Sequence, residues 1–106
     1  MRELDETTFD AAVAGGPVLV DFWAPWCRPC KALELILAEL PVEVARVNID
    51  EEPGLGSRFG VLSIPTVVLF AGGQALGSVV GLRPAKYFDE WLTEVLPAAE
   101  AGRLDA

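Results

Sequence analysis

The sequence predicts an α/β domain in which helices cover both faces of a central mixed sheet of four or five strands. Three observations carry that expectation. Val18–Trp23 is an almost unbroken apolar run, the pattern of a central strand buried on both sides. Helix-forming and extended segments alternate through the first half of the chain, which builds a parallel crossover. In the second half, Gly72-Gly73 separates two extended segments at hairpin spacing, which adds an antiparallel pair.

Each element follows from its own residues. Thr7 with Asp10 three positions later reads as a capping box, and Phe9, Ala12 and Val13 then share one face of a short first helix that Gly15-Gly16-Pro17 ends. In the strand that follows, Asp21 is the single polar misfit. From Pro25 to about Leu40 good helix formers cluster, among them Lys31, Ala32, Leu33, Glu34, Leu35 and Leu37, and Pro41 stops the run. Val42, Val44 and Ala45–Ile49 form the next extended segment, and residues 51–60, with Pro53 near the start, read as a short irregular helix. Thr66–Phe70 and Ala75–Val80 are the antiparallel pair. Pro84 opens a last helix in which Phe88, Trp91, Leu92 and Val95 recur at helical spacing until Pro97, and residues 98–106 are expected to fray.

Composition narrows the function. The chain of 106 residues is 52% hydrophobic and 23% charged, enough apolar material for one core, so a single domain over 1–106 is expected. Its apolar runs fall far short of the roughly 20 residues a membrane span requires. No apolar signal segment follows Met1, so a cytoplasmic monomer is expected. A formal charge of -8 with scattered basic residues repels phosphate and argues against nucleic-acid or membrane partners. Histidine is absent, which removes imidazole metal ligands, serine triads and cysteine-histidine pairs. Thiols and carboxylates remain.

Cys27 and Cys30 are the two thiols. Their Cys-x-x-Cys spacing serves zinc sites, redox pairs and ordinary buried cysteines alike. Structural zinc takes four ligands, so a site here would need a second chain or carboxylates. Burial as small core residues is the other alternative. Position favours redox chemistry, because a helix that begins near Cys27 aims free backbone N–H groups and its dipole at the sulfur. That setting lowers the thiol pKa and raises the thiolate fraction at neutral pH roughly tenfold. Arg28 adds a fixed positive charge, and Pro29 fills an early helical position that needs no N–H. Cys27 is the expected nucleophile. Cys30, one turn on, is the resolving thiol that attacks the mixed disulfide and leaves a Cys27–Cys30 bridge. Asp21, a carboxylate within an apolar strand, is costly to ionise and should have a raised pKa, unless it turns to solvent at the strand end.

Trp23-Ala24-Pro25-Trp26-Cys27-Arg28-Pro29-Cys30-Lys31 resembles the active-site segment of the thioredoxin family, and the likeness runs from about Phe9 to Trp91. Val20-Asp21-Phe22, Val47-Asn48-Ile49-Asp50 and Ile64-Pro65-Thr66 agree in kind and order. The resemblance implies the thioredoxin fold and a protein-disulfide reductase that binds no cofactor, its redox group being the Cys27–Cys30 disulfide. It implies disulfide-containing client proteins and recharging by thioredoxin reductase. It also implies a cis Ile64–Pro65 peptide beside the cysteines, a proton relay from Asp21 to Cys30, and a client groove walled by Trp26, Ile64, Pro65, Val80, Gly81 and Leu82, with Ile49 adding apolar surface.

Several positions depart from the family pattern. Arg28 replaces the usual glycine, and its charge should make the pair more oxidising by a few tens of millivolts. Arg46 stands where a lysine is common near the buried acid, and a guanidinium that never gives up its proton should hold the Asp21 pKa lower than lysine would. Leu35 replaces a kinking proline, so a straighter, shorter second helix is expected. Only Leu4 is apolar ahead of the first helix, so the first strand is expected to be nearly lost and residues 1–4 frayed. Two other functions stay open: a disulfide oxidase or isomerase for folding proteins, and a non-catalytic binding subunit that uses the groove alone.

Overall fold

The structure, a computed structural model, describes the backbone of residues 1–105 and the side chains of residues 1–97. In chain order its elements are β1 (Arg2–Glu3), α1 (Phe9–Val13), β2 (Val18–Trp23), α2 (Arg28–Leu37), β3 (Glu43–Asn48), α3 (Pro53–Arg58), β4 (Thr66–Ala71), β5 (Gln74–Val80) and α4 (Ala85–Asp105). The strands form one five-stranded sheet in the order β1-β3-β2-β4-β5. β3 runs parallel to both β1 and β2, whereas β4 is antiparallel to β2 and β5 to β4. No helix among the described residues is long and apolar enough to cross a membrane.

Strand alternation decides what each face of the sheet buries. Val18, Val20 and Phe22 of β2 join Phe9 and Val13 of α1, Leu55 of α3, Val68 and Phe70 in one apolar layer. Leu19 points the other way, into a layer with Leu33 and Leu37 of α2, Val67, Leu69, Val79, and Phe88 and Leu92 of α4. Asp21 shares the parity of Leu19, so its carboxylate faces the side covered by α2. Phe9, Phe22 and Phe70 are fully buried, and truncating any one of them to alanine should cost about 3–5 kcal/mol.

The β4–β5 hairpin turns at Gly72 and Gly73, with φ of 58° and 80°. Two successive positive φ values are what a tight two-residue hairpin loop requires, and glycine adopts them without strain. The same two amides donate to Gly15 O and Val13 O at 2.8 Å each, which fastens the hairpin to the end of α1.

Four expectations need correction. The first strand persists: Arg2 pairs with Ala45 and Glu3 with Arg46, Leu4 N donates to Arg46 O at 2.7 Å, and the sheet has five strands. Residues 1–4 are therefore not frayed; backbone pairing to the edge of β3 holds them, and this needs no apolar side chains. No Thr7–Asp10 box caps α1: Thr8 holds the cap position without a side-chain cap bond, and Asp5 secures the turn before it. Asp5 Oδ1 accepts from the Thr7 and Thr8 amides at 2.8 and 2.9 Å, and these bonds, with one from the Thr7 hydroxyl, lower its pKa. The second helix is shorter than the Pro25–Leu40 run, because Cys27 caps its start and it closes at Leu37. α4 does not stop at Pro97 but continues to Asp105. Proline removes one backbone bond from a helix. Val95 and Leu96, packed against the α2–α4 layer, hold the preceding turn in place.

Candidate active site

β2 delivers the chain to the site and ends at Trp23, and α2 begins at Arg28 after four intervening residues. Cys27 occupies the cap position of α2 with an extended backbone, φ −89° and ψ 104°, and its sulfur accepts the Cys30 amide at 3.3 Å. A backbone N–H aimed at Sγ is the arrangement that favours charge on that atom. Cys27 and Cys30 are joined in a disulfide, with Cα atoms 5.3 Å apart. Cys30 is fully buried and Cys27 is 4% exposed, so Cys27 is the less buried of the two cysteines. Pro29 lies in the first turn, as its missing N–H allows. Arg28, at the first helical position, is exposed and has no ion-pair partner among the described residues, so its charge is free to act on the neighbouring sulfur.

Ala24 and the two cysteines form a small buried cluster against which Trp23, Ile49 and Ile64 pack. Ile64–Pro65 is a cis peptide. Pro65 is buried, and its carbonyl accepts the Gly81 amide at 2.8 Å, which joins the loop before β4 to the end of β5. Gly81 adopts φ +93° and has nothing within 4 Å of where a Cβ would sit, so the surface beside its backbone is open. Its neighbours Val80 and Leu82 are 50% and 47% exposed.

On the other side, Trp26 is 68% exposed, and its indole N–H donates to Asp50 Oδ2 at 2.9 Å. Asp50 is set by Asn48, whose Oδ1 accepts the Asp50 amide at 2.9 Å. Trp26, Ile49, Val61, Leu62, Ser63 and Ile64 line a shallow cavity of about 250 Å³. The structure thus gathers Trp26, Ile49 and Ile64 beside the cysteines, and links Pro65 to the Val80-Gly81-Leu82 wall. Asp50 and Leu62 were not foreseen. The Trp26–Asp50 bond joins positions 24 residues apart, and no sequence periodicity reports such a pairing.

Asp21 is fully buried, and its pKa is pushed up to about 7. Desolvation is the largest cause; Arg46 opposes it, and the negative charges of Glu34 and Glu3 reinforce it. Neither carboxylate oxygen has a hydrogen-bond partner among the described residues, and the nearest cationic atom, Arg46 Nε, is 3.7 Å away. The alternative of a solvent-facing aspartate is excluded. Among the described residues there is no group of three or more His, Cys, Asp or Glu side chains that could hold a metal ion.

The chain is similar to known proteins along most of its length. The family model for thioredoxin matches residues 1–94. A thioredoxin of Alicyclobacillus acidocaldarius is 41% identical over 100 residues, covering 88% of this chain and 95% of the relative. Thioredoxin 1 of a Nostoc species is 38% identical over 102 residues, covering 89% and 95%. A thioredoxin of Rickettsia bellii is 45% identical over 82 residues, covering 72% and 78%. With a bridged cysteine pair at the helix start and agreement along nearly the whole length, the chain belongs to the thioredoxin family and is a thiol–disulfide oxidoreductase that reduces protein disulfides.

Proposed function

We propose that Cys27 attacks client disulfides, that Cys30 resolves the resulting mixed disulfide, and that Asp21 accepts the proton Cys30 must lose. The position of Cys27 carries this reading: it caps α2, accepts a backbone N–H, and is the less buried of the two cysteines. In the reduced protein the Cys27 thiolate attacks one sulfur of the client, a Cys27–client bond forms, and the first client thiolate leaves. Cys30 then passes its proton to Asp21 and attacks Cys27, so the second client thiolate leaves and the Cys27–Cys30 bond closes. Asp21 hydrogen-bonds to neither cysteine in the disulfide form, so the proton transfer belongs to the reduced protein and its mixed disulfide. An acid titrating near pH 7 suits this task, because it both takes and returns a proton at neutral pH.

Clients dock across Trp26, Ile49 and Ile64, which line one cavity, and the exposed Val80-Gly81-Leu82 segment, which the Gly81 amide ties to Pro65, and the open backbone at Gly81 lets an extended peptide approach the Pro65 edge. Thioredoxin reductase returns the two electrons and two protons in each cycle, and the protein works as a single-domain monomer in the cytoplasm.

Insulin reduction followed by turbidity, together with trapping of a labelled disulfide peptide, tests the assignment. Cys30→Ser should accumulate the mixed disulfide through Cys27, whereas Cys27→Ser should trap nothing. The opposite pattern would exchange the two roles. One observation favours a second reading as disulfide oxidase: the unpaired Arg28 charge beside Cys27 stabilises the reduced form. A potential close to that of periplasmic oxidants, with poor insulin reduction, would select it.

A further inference from the structure

Three carboxylates lie within 4 Å of the Arg46 guanidinium, and the most buried of them has no hydrogen-bond partner among the described residues. Arg46 Nη1 lies 3.5 Å from Glu34 Oε1 and 3.9 Å from Glu3 Oε1, while Nε lies 3.7 Å from Asp21 Oδ2. The central carbon of the guanidinium lies 3.9 Å from the centre of the Trp23 ring, a cation–π contact that helps hold it in place, and the Trp23 indole N–H donates to Glu3 Oε2 at 3.3 Å.

The register of the sheet builds this cluster. Glu3, Arg46 and Asp21 lie in one row across β1, β3 and β2. Glu34 reaches the same cation from α2, one turn beyond Cys30. β4 places Val67 beside Asp21, and the inward residues Phe88 and Leu92 of α4 are apolar, so the charges acting on Asp21 are those of Arg46, Glu3 and Glu34. Glu3 and Glu34, 49% and 43% exposed, are also solvated by water, whereas Asp21 at 0% is not. One cation therefore faces three potential anions, and the site's negative excess falls on the group that can least bear it.

We propose that Glu3 and Glu34 are positioning residues that share the Arg46 guanidinium and so keep it from neutralising Asp21, which leaves the buried carboxylate basic enough to take the Cys30 proton. This rests on the reading of Asp21 as the proton acceptor for Cys30. It gives a function to a strand of only two residues, because β1 is what brings Glu3 level with Arg46. It also ties the protonation of Asp21 to the helix that carries both cysteines.

The experiment uses the full chain with Glu3→Gln, Glu34→Gln and the double substitution. The Asp21 carboxyl carbon is titrated by NMR in the reduced protein, alongside the pH dependence with which Cys30 releases a trapped mixed disulfide. With Arg46 left to Asp21, the carboxyl midpoint should fall by about half a pH unit in each single variant and about one unit in the double. Glu34→Asp, which keeps the charge, should restore most of the parent value. A midpoint in the double variant that stays put or rises overturns the proposal, since a packing defect alone supplies no reason for Asp21 to ionise more easily. If the carboxyl midpoint falls while the release profile does not move, the roles of Glu3 and Glu34 stand and the role of Asp21 in release is what fails.

Discussion

Asp21 and Arg46 stand level on neighbouring parallel strands, yet their charged ends approach only to 3.7 Å and form no hydrogen bond. A closely paired carboxylate would titrate below its ordinary value of 3.8; this one titrates near 7, because loss of hydration outweighs the attraction of a guanidinium that two other acids share.

Stability must therefore depend on pH in a direction opposite to that of a salt-bridged acid. Below about pH 4 Asp21 is protonated in both the folded and the unfolded chain and costs nothing. Between about 4 and 7 the unfolded chain releases this proton while the folded chain retains it, so stability falls as pH rises; above about 7 the loss is complete. Asp21→Asn removes the effect. The stability difference between variant and parent should change in favour of the variant by an amount on the order of 4 kcal/mol between acid and mildly alkaline pH. Urea unfolding of both proteins across that range reads it directly, and parallel stability curves would contradict the burial argument.

Replacing Arg46 with lysine tests the cation. The lysine ammonium cannot stack flat on Trp23, and it is drawn outward by water and by Glu3 and Glu34. Asp21 should then titrate higher in Arg46→Lys than in the parent. An unchanged or lower carboxyl midpoint by NMR would show that a lysine stabilises the ionised acid at least as well as the guanidinium does.

What could be read in the sequence was what local pattern encodes. The apolar run of β2, the Gly72-Gly73 turn and the Cys-x-x-Cys pair at a helix start each announce themselves within a few residues, and Asp21 stands out because it breaks an otherwise apolar strand. β1 was invisible because its two charged residues are held by backbone pairing to β3 alone. The same non-local character hid Glu3 and Glu34, whose importance comes from strand register and helix docking around Arg46. Pro97 misled for the converse reason: a local stop signal was overridden by the apolar packing of the turn before it.

Arg28 should set the redox poise. Its exposed guanidinium stands one residue from a sulfur that is anionic in the reduced state and neutral in the disulfide, so it stabilises the reduced form preferentially. Arg28→Gly should lower the reduction potential by a few tens of millivolts, since about 30 mV corresponds to 1.4 kcal/mol for this two-electron couple. Equilibration against glutathione measures it, and the shift should shrink at high salt. A potential equal to or above the parent value would exclude Arg28 from tuning the pair.

Gly81 joins backbone conformation to client binding. A side chain at φ +93° is strained even where space is free, and at Gly81 nothing lies within 4 Å of a new Cβ. Gly81→Ala should therefore cost about 1–2 kcal/mol of stability through the backbone alone. Relief of that strain would rotate the amide that donates to Pro65 O, and the new methyl would occupy the surface a client backbone approaches. Both effects act on docking and neither touches the sulfurs. The KM for a protein disulfide should rise several-fold in Gly81→Ala while the rate with a small aromatic disulfide stays within about twofold of the parent, because a small substrate needs only Cys27. Equal losses on both substrates would mean that Gly81 serves the geometry of the cysteine pair instead of the groove.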